Sequence, residues 1–156
     1  AFNLKGGDSH YTDCVVVDYT IGFEDVSWAG ANRFTRCHVW GGPLPALTEG
    51  GEREMLVDSI CFKICAGGAV LRDCYADTAK IGFFIGAYTR LLGSSYFNNY
   101  HAFKLDDLVA IKHVGGKLLV SDCAFTKTNP KAIVYASETT DPAVWSNCPK
   151  RNGARP

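Results

Sequence analysis

The chain has 156 residues and a mass of 17.0 kDa, the size of one ordinary domain that buries roughly two thirds of its unfolded surface. Its 16 basic residues balance 16 acidic ones, so zero formal net charge excludes a broad electrostatic pull toward nucleic acid or an anionic membrane. No window holds the roughly 18 apolar residues of a spanning helix, and the opening Ala-Phe-Asn-Leu-Lys-Gly-Gly lacks the charged and apolar regions of a signal peptide. The start therefore reads as mid-sequence, as in a mature product or a piece of a longer protein.

Taken in chain order, short segments share an anchor. They are YTDCVVVDY from Tyr11, FTRCHVWGG from Phe34, LRDCYADTA from Leu71, LGSSYFNNY from Leu92 and VSDCAFTKT from Val120. Aligned this way, the anchors are Cys14, Cys37, Cys74, Ser95 and Cys123. A second phrase, Ile-Gly-Phe, follows the first and third anchors at Ile21 and Ile81, with glycine expected to turn a corner. The run CFKICAGGAVLRDC from Cys61 also lies over GFFIGAYTRLLGSS from Gly82, matching Phe62 to Phe83, Ile64 to Ile85 and Leu71 to Leu92 at an offset of 21. One repeat is thus about 21 residues, and longer separations carry insertions. The largest runs over residues 41–54, where Gly, Pro and charge mark an external loop.

Parity predicts the faces, because alternate residues of a strand point to opposite sides. Two residues beyond each anchor stand Val16, Val39, Ala76, Phe97 and Phe125, all apolar and expected inside. The outward columns are then His38 and Trp40, Tyr75 and Asp77, and Tyr96 and Asn98, with Val15 and Val17 on a covered coil near one end. Glycine, Asn and β-branched residues interrupt every candidate helix, so short strands at this period describe a parallel β-helix. Residues 1–137 are assigned to its coils, about five to six of them. Residues 138–156, with three of the six prolines and a basic end, are assigned to an irregular C-terminal cap or tail.

The seven cysteines include no CxxC pair, so metal-ligand spacing is absent and they are expected as small buried hydrophobes. Asp13, Asp73 and Asp122, each preceding an anchor cysteine, are expected to bond corner amides along the stack.

The run RDCYADTAKIGFFIGAYTRLLGSSYFNNYHAFKL resembles the right-handed parallel β-helix of the pectin-lyase-like superfamily, especially its branch of phage tailspikes and polysaccharide depolymerases. The resemblance covers roughly residues 11–136. It implies a polysaccharide or oligosaccharide substrate, a groove along stacked strands, often a homotrimer, and catalysis by carboxylates; no cofactor or metal is expected, and the expected location is extracellular or on a virion surface. Family enzymes are usually longer than this chain.

The ladder of His38, Trp40, Tyr75, Tyr96 and Asn98, with His101, is the predicted sugar face. Aromatic rings cover the apolar side of a pyranose, and carboxylates and amides take its hydroxyls. The same tyrosines could equally stack on each other as cross-strand aromatics. Asp77 is the prime catalytic candidate, flanked by aromatics that would desolvate it as a general acid requires; it could equally be a corner residue. Hydrolysis needs a second carboxyl, and Glu24, Asp25, Asp58, Asp106 and Asp107 are the candidates. In the adjacent pairs Glu24-Asp25 and Asp106-Asp107, one side chain is expected outward and the other inward or in a turn. A lyase would instead use a base from Arg36, Arg72, Lys80 or His101, with Lys80 and His101 in neighbouring coils. The rival class is a non-enzymatic β-helix segment of a trimeric fibre or adhesin, whose outer columns touch sister subunits.

Overall fold

A computed structural model describes residues 2–40, 59–77, 79–98, 108–127 and 133–148, and of residues 97, 98, 126 and 127 the backbone alone. Every regular element in it is a strand, and every pairing is parallel. The first coil consists of β1 (Phe2–Leu4), β2 (His10–Thr12) and β3 (Val15–Val17). The second consists of β4 (Ile21–Asp25), β5 (Arg33–Thr35) and β6 (His38–Trp40). Then come β7 (Ile60–Ile64), β8 (Ala69–Arg72) and β9 (Tyr75–Asp77), followed by β10 (Ile81–Ile85), β11 (Thr89–Leu92) and β12 (Ser95–Asn98). The fifth coil holds β13 (Val109–His113), β14 (Leu118–Ser121) and β15 (Ala124–Lys127), and a sixth holds β16 (Ile133–Ser137) and β17 (Ala143–Ser146). Each third strand pairs with its counterpart one coil on, which makes three sheets: A from β1-β4-β7-β10-β13-β16, B from β2-β5-β8-β11-β14-β17, and C from β3-β6-β9-β12-β15. The described residues form a parallel β-helix of five coils and most of a sixth.

Inside, like stacks on like. Phe2, Phe23, Phe62 and Phe83 run along sheet A with ring centroids 4.9, 5.3 and 5.3 Å apart, the separations favoured by offset aromatic pairs. Tyr11 stacks on Phe34 at 5.3 Å in sheet B, and Leu71, Leu91 and Val120 continue that column. Burying one such ring is worth about 1.5–3 kcal/mol, and the shared column ties the coils into one core.

The corner from sheet B to sheet C is the most regular in the fold. Its first residue is Asp13, Arg36, Asp73, Gly93, Asp122 or Asn147, and all six have φ between 51 and 59°. That left-handed conformation suits glycine, Asp and Asn, which is why the sequence repeats Asp before Cys. The aspartates thus serve through their backbone. Where their carboxylates have partners, these are side chains and not corner amides: Arg36 meets Asp13 at 2.6 and 2.7 Å, and Ser121 and Asn147 meet Asp122.

The next residue points inward and hands its hydrogen to two carbonyls. The Cys37 thiol reaches Tyr11 O at 3.4 Å and Thr35 O at 3.7 Å, and Cys74 reaches Phe34 O and Arg72 O, both at 3.5 Å. Ser94 donates likewise to Leu71 O at 3.2 Å and Leu92 O at 3.5 Å. Cys123 and Cys148 repeat the pattern. Cys37, Cys61, Cys74 and Cys123 are buried, as expected of small hydrophobes, whereas Cys14 and Cys148 are half-buried and Cys65 is exposed, which corrects the expectation for those three.

These corners correct the sequence alignment. The fourth anchor is Ser94, one residue before the expected Ser95, because the turn after β10 (Gly86–Tyr88) is one residue shorter than the turn after β7 (Cys65–Gly68). Leu71 therefore pairs with Leu91 and not Leu92, while Phe62 with Phe83 and Ile64 with Ile85 hold as expected. A slip of one residue exchanges inside and outside. Tyr96 pairs with Ala76 and is 2% exposed, its hydroxyl donating to Ala79 O at 3.2 Å, so it belongs to the core and not to the outer ladder. Phe97, and not Asn98, is the residue whose backbone pairs with Asp77.

Two further expectations change. The Ile-Gly-Phe glycines have ordinary φ, and what they supply is space: a Cβ on Gly22 would stand 2.5 Å from Val39 Cγ1, and one on Gly82 2.5 Å from Tyr96 Cδ2. The stack also continues past residue 137, since β17 joins sheet B beside β14 and ends in a corner, Asn147-Cys148, built like the others. The described part of the expected tail is a coil. The expected external loop at residues 41–54 lies outside the described residues.

Candidate functional site

The outer face of sheet C carries the densest set of chemically useful side chains among the described residues. Register places Val15, His38, Tyr75, Ser95 and Ala124 in one outward column and Val17, Trp40 and Asp77 in the next, with the backbone of Phe97 paired to Asp77 and that of Thr126 to Phe97. Neighbouring strands of such a sheet lie about 4.8 Å apart, so the second and third coils bring four of the predicted residues together. The His38 ring lies 4.6 Å from that of Tyr75 and 6.3 Å from that of Trp40, and the Tyr75 hydroxyl donates to Asp77 Oδ2 at 3.3 Å. Trp40 is 45% exposed and the other three are partly covered, which leaves a shallow surface with aromatic faces and one carboxylate.

The electrostatics follow from that packing. Burial among the rings holds the His38 imidazole below its usual value of 6.5, against the pull of the Asp77 charge, so the neutral ring is favoured. Its Nε2 is buried without a hydrogen-bond partner among the described residues. Burial, then the Asp77 charge and hydrogen bond, pushes the Tyr75 phenol up to about 12, so it serves as a donor. Tyr19 supports the third coil from beneath, its hydroxyl bonded to Cys61 Sγ at 3.0 Å and to Asp77 O at 3.4 Å. Burial pushes the Cys61 thiol up to about 12, so it is inert packing.

The remaining candidates are dispersed. Glu24 is on the outer face of sheet A, bound by Lys63 Nζ at 2.7 Å and Asn3 Nδ2 at 2.8 Å. With Phe2, Asp18, Tyr19, Thr20 and Ile21 it lines an open cleft of about 400 Å³ at the first two coils. Asp25 faces the other way, as adjacency predicts, and is fully buried. Its Oδ1 accepts from Asn32 Nδ2 at 3.0 Å and from Ser27 N at 3.2 Å, which makes it a structural carboxylate, out of reach of a polymer on the surface. Neither one shares the face that holds Asp77. Asp58, His101, Asp106 and Asp107 lie outside the described residues, so the pairing of His101 with Lys80 is untested. Arg36 is engaged by Asp13, while Arg72 lies on the outer face of sheet B, away from the aromatic cluster.

Sequence parity missed that Ser95 and Phe97, not Tyr96 and Asn98, pair with Tyr75 and Asp77. The signal was present: Gly93 supplies the left-handed residue that Asp73 supplies one coil earlier. Val15 and Val17, expected on a covered coil, are 59 and 49% exposed and extend the face as an apolar margin. No family model, curated protein or solved structure matches the chain.

Proposed function

We propose that this chain is a carbohydrate-active β-helix protein, similar to the tailspike and depolymerase branch of the pectin-lyase-like superfamily, that binds a polysaccharide along the outer face of sheet C. The observation that carries the reading is the cluster itself: three rings, of His38, Trp40 and Tyr75, beside a carboxylate hydrogen-bonded to one of them, on a face that repeats with the coil. Exposed indole covers the apolar side of a pyranose, and Asp77 and the Tyr75 hydroxyl address its ring hydroxyls. On this reading the protein works outside the cell or on a virion surface.

Cleavage of the bound chain is the second half of the proposal, with Asp77 as general acid or nucleophile. It requires another carboxyl about 5–9.5 Å away, which neither Glu24 nor Asp25 supplies. Binding is therefore the part that the described residues support more directly.

A depolymerisation and binding screen over bacterial and plant polysaccharides, run on the parent, Trp40→Ala and Asp77→Asn, tests both halves. Trp40→Ala is expected to weaken binding at least tenfold, and Asp77→Asn to abolish cleavage while binding persists. A parent that binds no glycan, or a Trp40→Ala variant that binds like the parent, removes the sugar face.

One observation favours a different class. Val15, Val17 and Trp40 form an exposed apolar margin of the kind that sister subunits cover in a fibre. Sedimentation equilibrium distinguishes the two: a trimer that dissociates on Val17→Lys supports the fibre reading, and a monomer leaves the face to a ligand.

A further inference from the structure

The cysteine ladder at the corner from sheet B to sheet C sets thiols of successive coils side by side. Cys14 immediately precedes β3 and Cys37 immediately precedes β6, and the paired residues Val15 and His38 follow them in register. The Cys14 carbonyl accepts His38 N at 2.8 Å, so the two backbones run as direct neighbours there. Parallel neighbours lie about 4.8 Å apart, inside the roughly 4.4–6.8 Å between Cα atoms that a disulfide spans. Both side chains point into the solenoid, and the Cys37 thiol interacts with those of Cys14 below it and Cys74 above it.

We propose that Cys14 and Cys37 are a redox pair, closing to a disulfide between the first two coils when a hydroperoxide reaches Cys14. Of the three stacked thiols only Cys14 is partly exposed; Cys37 and Cys74 are 0 and 1% exposed. The Cys14 sulfur attacks the peroxide, its S–O bond forming as the O–O bond breaks and an alcohol leaves. The Cys37 sulfur then attacks the sulfenyl sulfur: S–S forms, S–O breaks, and the departing hydroxide takes the second thiol's proton as water. Two thiols and one hydroperoxide give one disulfide, one alcohol and one water.

Two features of the fold suit this order. Burial holds the Cys14 thiol up, so its oxidation becomes faster as pH rises, while contact with the Cys74 thiol draws the Cys37 thiol down and favours it as the resolving sulfur. Bringing the Cβ atoms to disulfide distance takes a shift of up to about 1 Å, and among the described residues β3 is the edge strand of its sheet, paired with β6 alone. Cys37 and Cys74 are held by strands on both sides and lack that freedom. The bond would fix β3 and its Val15 and Val17 beside His38 and Trp40, so the oxidation state would set the rigidity of the outer margin of sheet C.

The test is peroxide treatment of the full chain carrying Cys65→Ser, which removes the exposed corner thiol, without denaturant, followed by a non-reducing peptide map and thiol counting. The expected result is loss of two thiols and one cross-linked pair, Cys14 with Cys37. With Cys37→Ser added, Cys14 should instead be captured by a sulfenic-acid probe; with Cys14→Ser added, both Cys37 and Cys74 should stay reduced. Serine is compatible with this ladder, because Ser94 already occupies it and makes the same two hydrogen bonds. A cross-link between Cys37 and Cys74, loss of two thiols in the Cys14→Ser protein, or a parent whose Cys14 is oxidised without any cross-link would each overturn the proposal.

Discussion

The ring of Tyr96 occupies the space in which a Cβ on Gly82 would stand: Cδ2 would be 2.5 Å away and Cε2 3.1 Å, with the backbone oxygen of Ala110 at 2.8 Å. The fourth coil thus carries its largest core side chain on sheet C because sheet A of the same coil carries none at the facing position. Gly82→Ala is expected to cost about 1–3 kcal/mol through overpacking. Part of that cost should vanish when Tyr96→Ala is present, leaving the clash with Ala110 O, and a double-mutant cycle in urea measures the coupling.

The left-handed corner gives a second prediction. Asp73 has a φ of 53° and its equivalent one coil on, Gly93, a φ of 59°. Asp73→Gly should therefore stay within about 0.5 kcal/mol of the parent, whereas Asp73→Val, β-branched in a left-handed backbone, should lose about 1–2 kcal/mol. Urea midpoints of the two variants check it; equal losses would mean that the Asp73 side chain and not its backbone matters.

Those two relationships show how much of the fold was legible in the sequence. Asp before Cys marked a backbone that needs φ > 0 followed by a small inward donor, and the pattern sufficed for the architecture and the coil count. It misled at Ser95, because Gly and Ser replace Asp and Cys there, and a turn shortened by one residue moves the frame. Chemistry at the level of backbone conformation equates Gly93 with Asp73, but letter matching does not. For the same reason Asn147-Cys148 passed unread as a corner, hidden by Asn in place of Asp. At the candidate site, parity brought His38, Trp40, Tyr75 and Asp77 onto one face correctly. What parity could not supply was Asn32, whose amide holds Asp25 inside, since that contact joins a strand to a corner seven residues away.

His38 ties this surface to pH. Its imidazole is held below 6.5 in the folded chain, chiefly by burial. Between the unfolded value and the lower folded one, the unfolded chain binds more protons, so stability is unaffected above about pH 6.5 and declines as pH falls below it. His38→Gln removes the titrating group. The parent should lose more thermal stability than His38→Gln between about pH 7.5 and 5.5. Parallel losses in the two proteins would place the acid sensitivity elsewhere.

The three described carboxylates once grouped as catalytic candidates should separate cleanly by substitution. Asp25 is fully buried and accepts from Asn32 Nδ2 and Ser27 N, so Asp25→Ala leaves Ser27 N without that acceptor, while Asn32 Nδ2 keeps Gly6 O and Ser27 Oγ, and is expected to cost about 1–3 kcal/mol in unfolding free energy. Glycan binding measured well below the new midpoint should remain. Glu24 and Lys63 form a partly exposed ion pair on sheet A, and Glu24→Gln should move neither stability nor glycan handling by much, because such pairs contribute roughly 0–1 kcal/mol. Asp77→Asn keeps an acceptor for the Tyr75 hydroxyl and should leave the fold intact while removing cleavage. Urea unfolding and a reducing-end assay on the same three proteins decide the matter. Should Glu24→Gln abolish cleavage while Asp77→Asn leaves it unchanged, the working face is sheet A, beside the cleft lined by Asn3, Asp18 and Thr20.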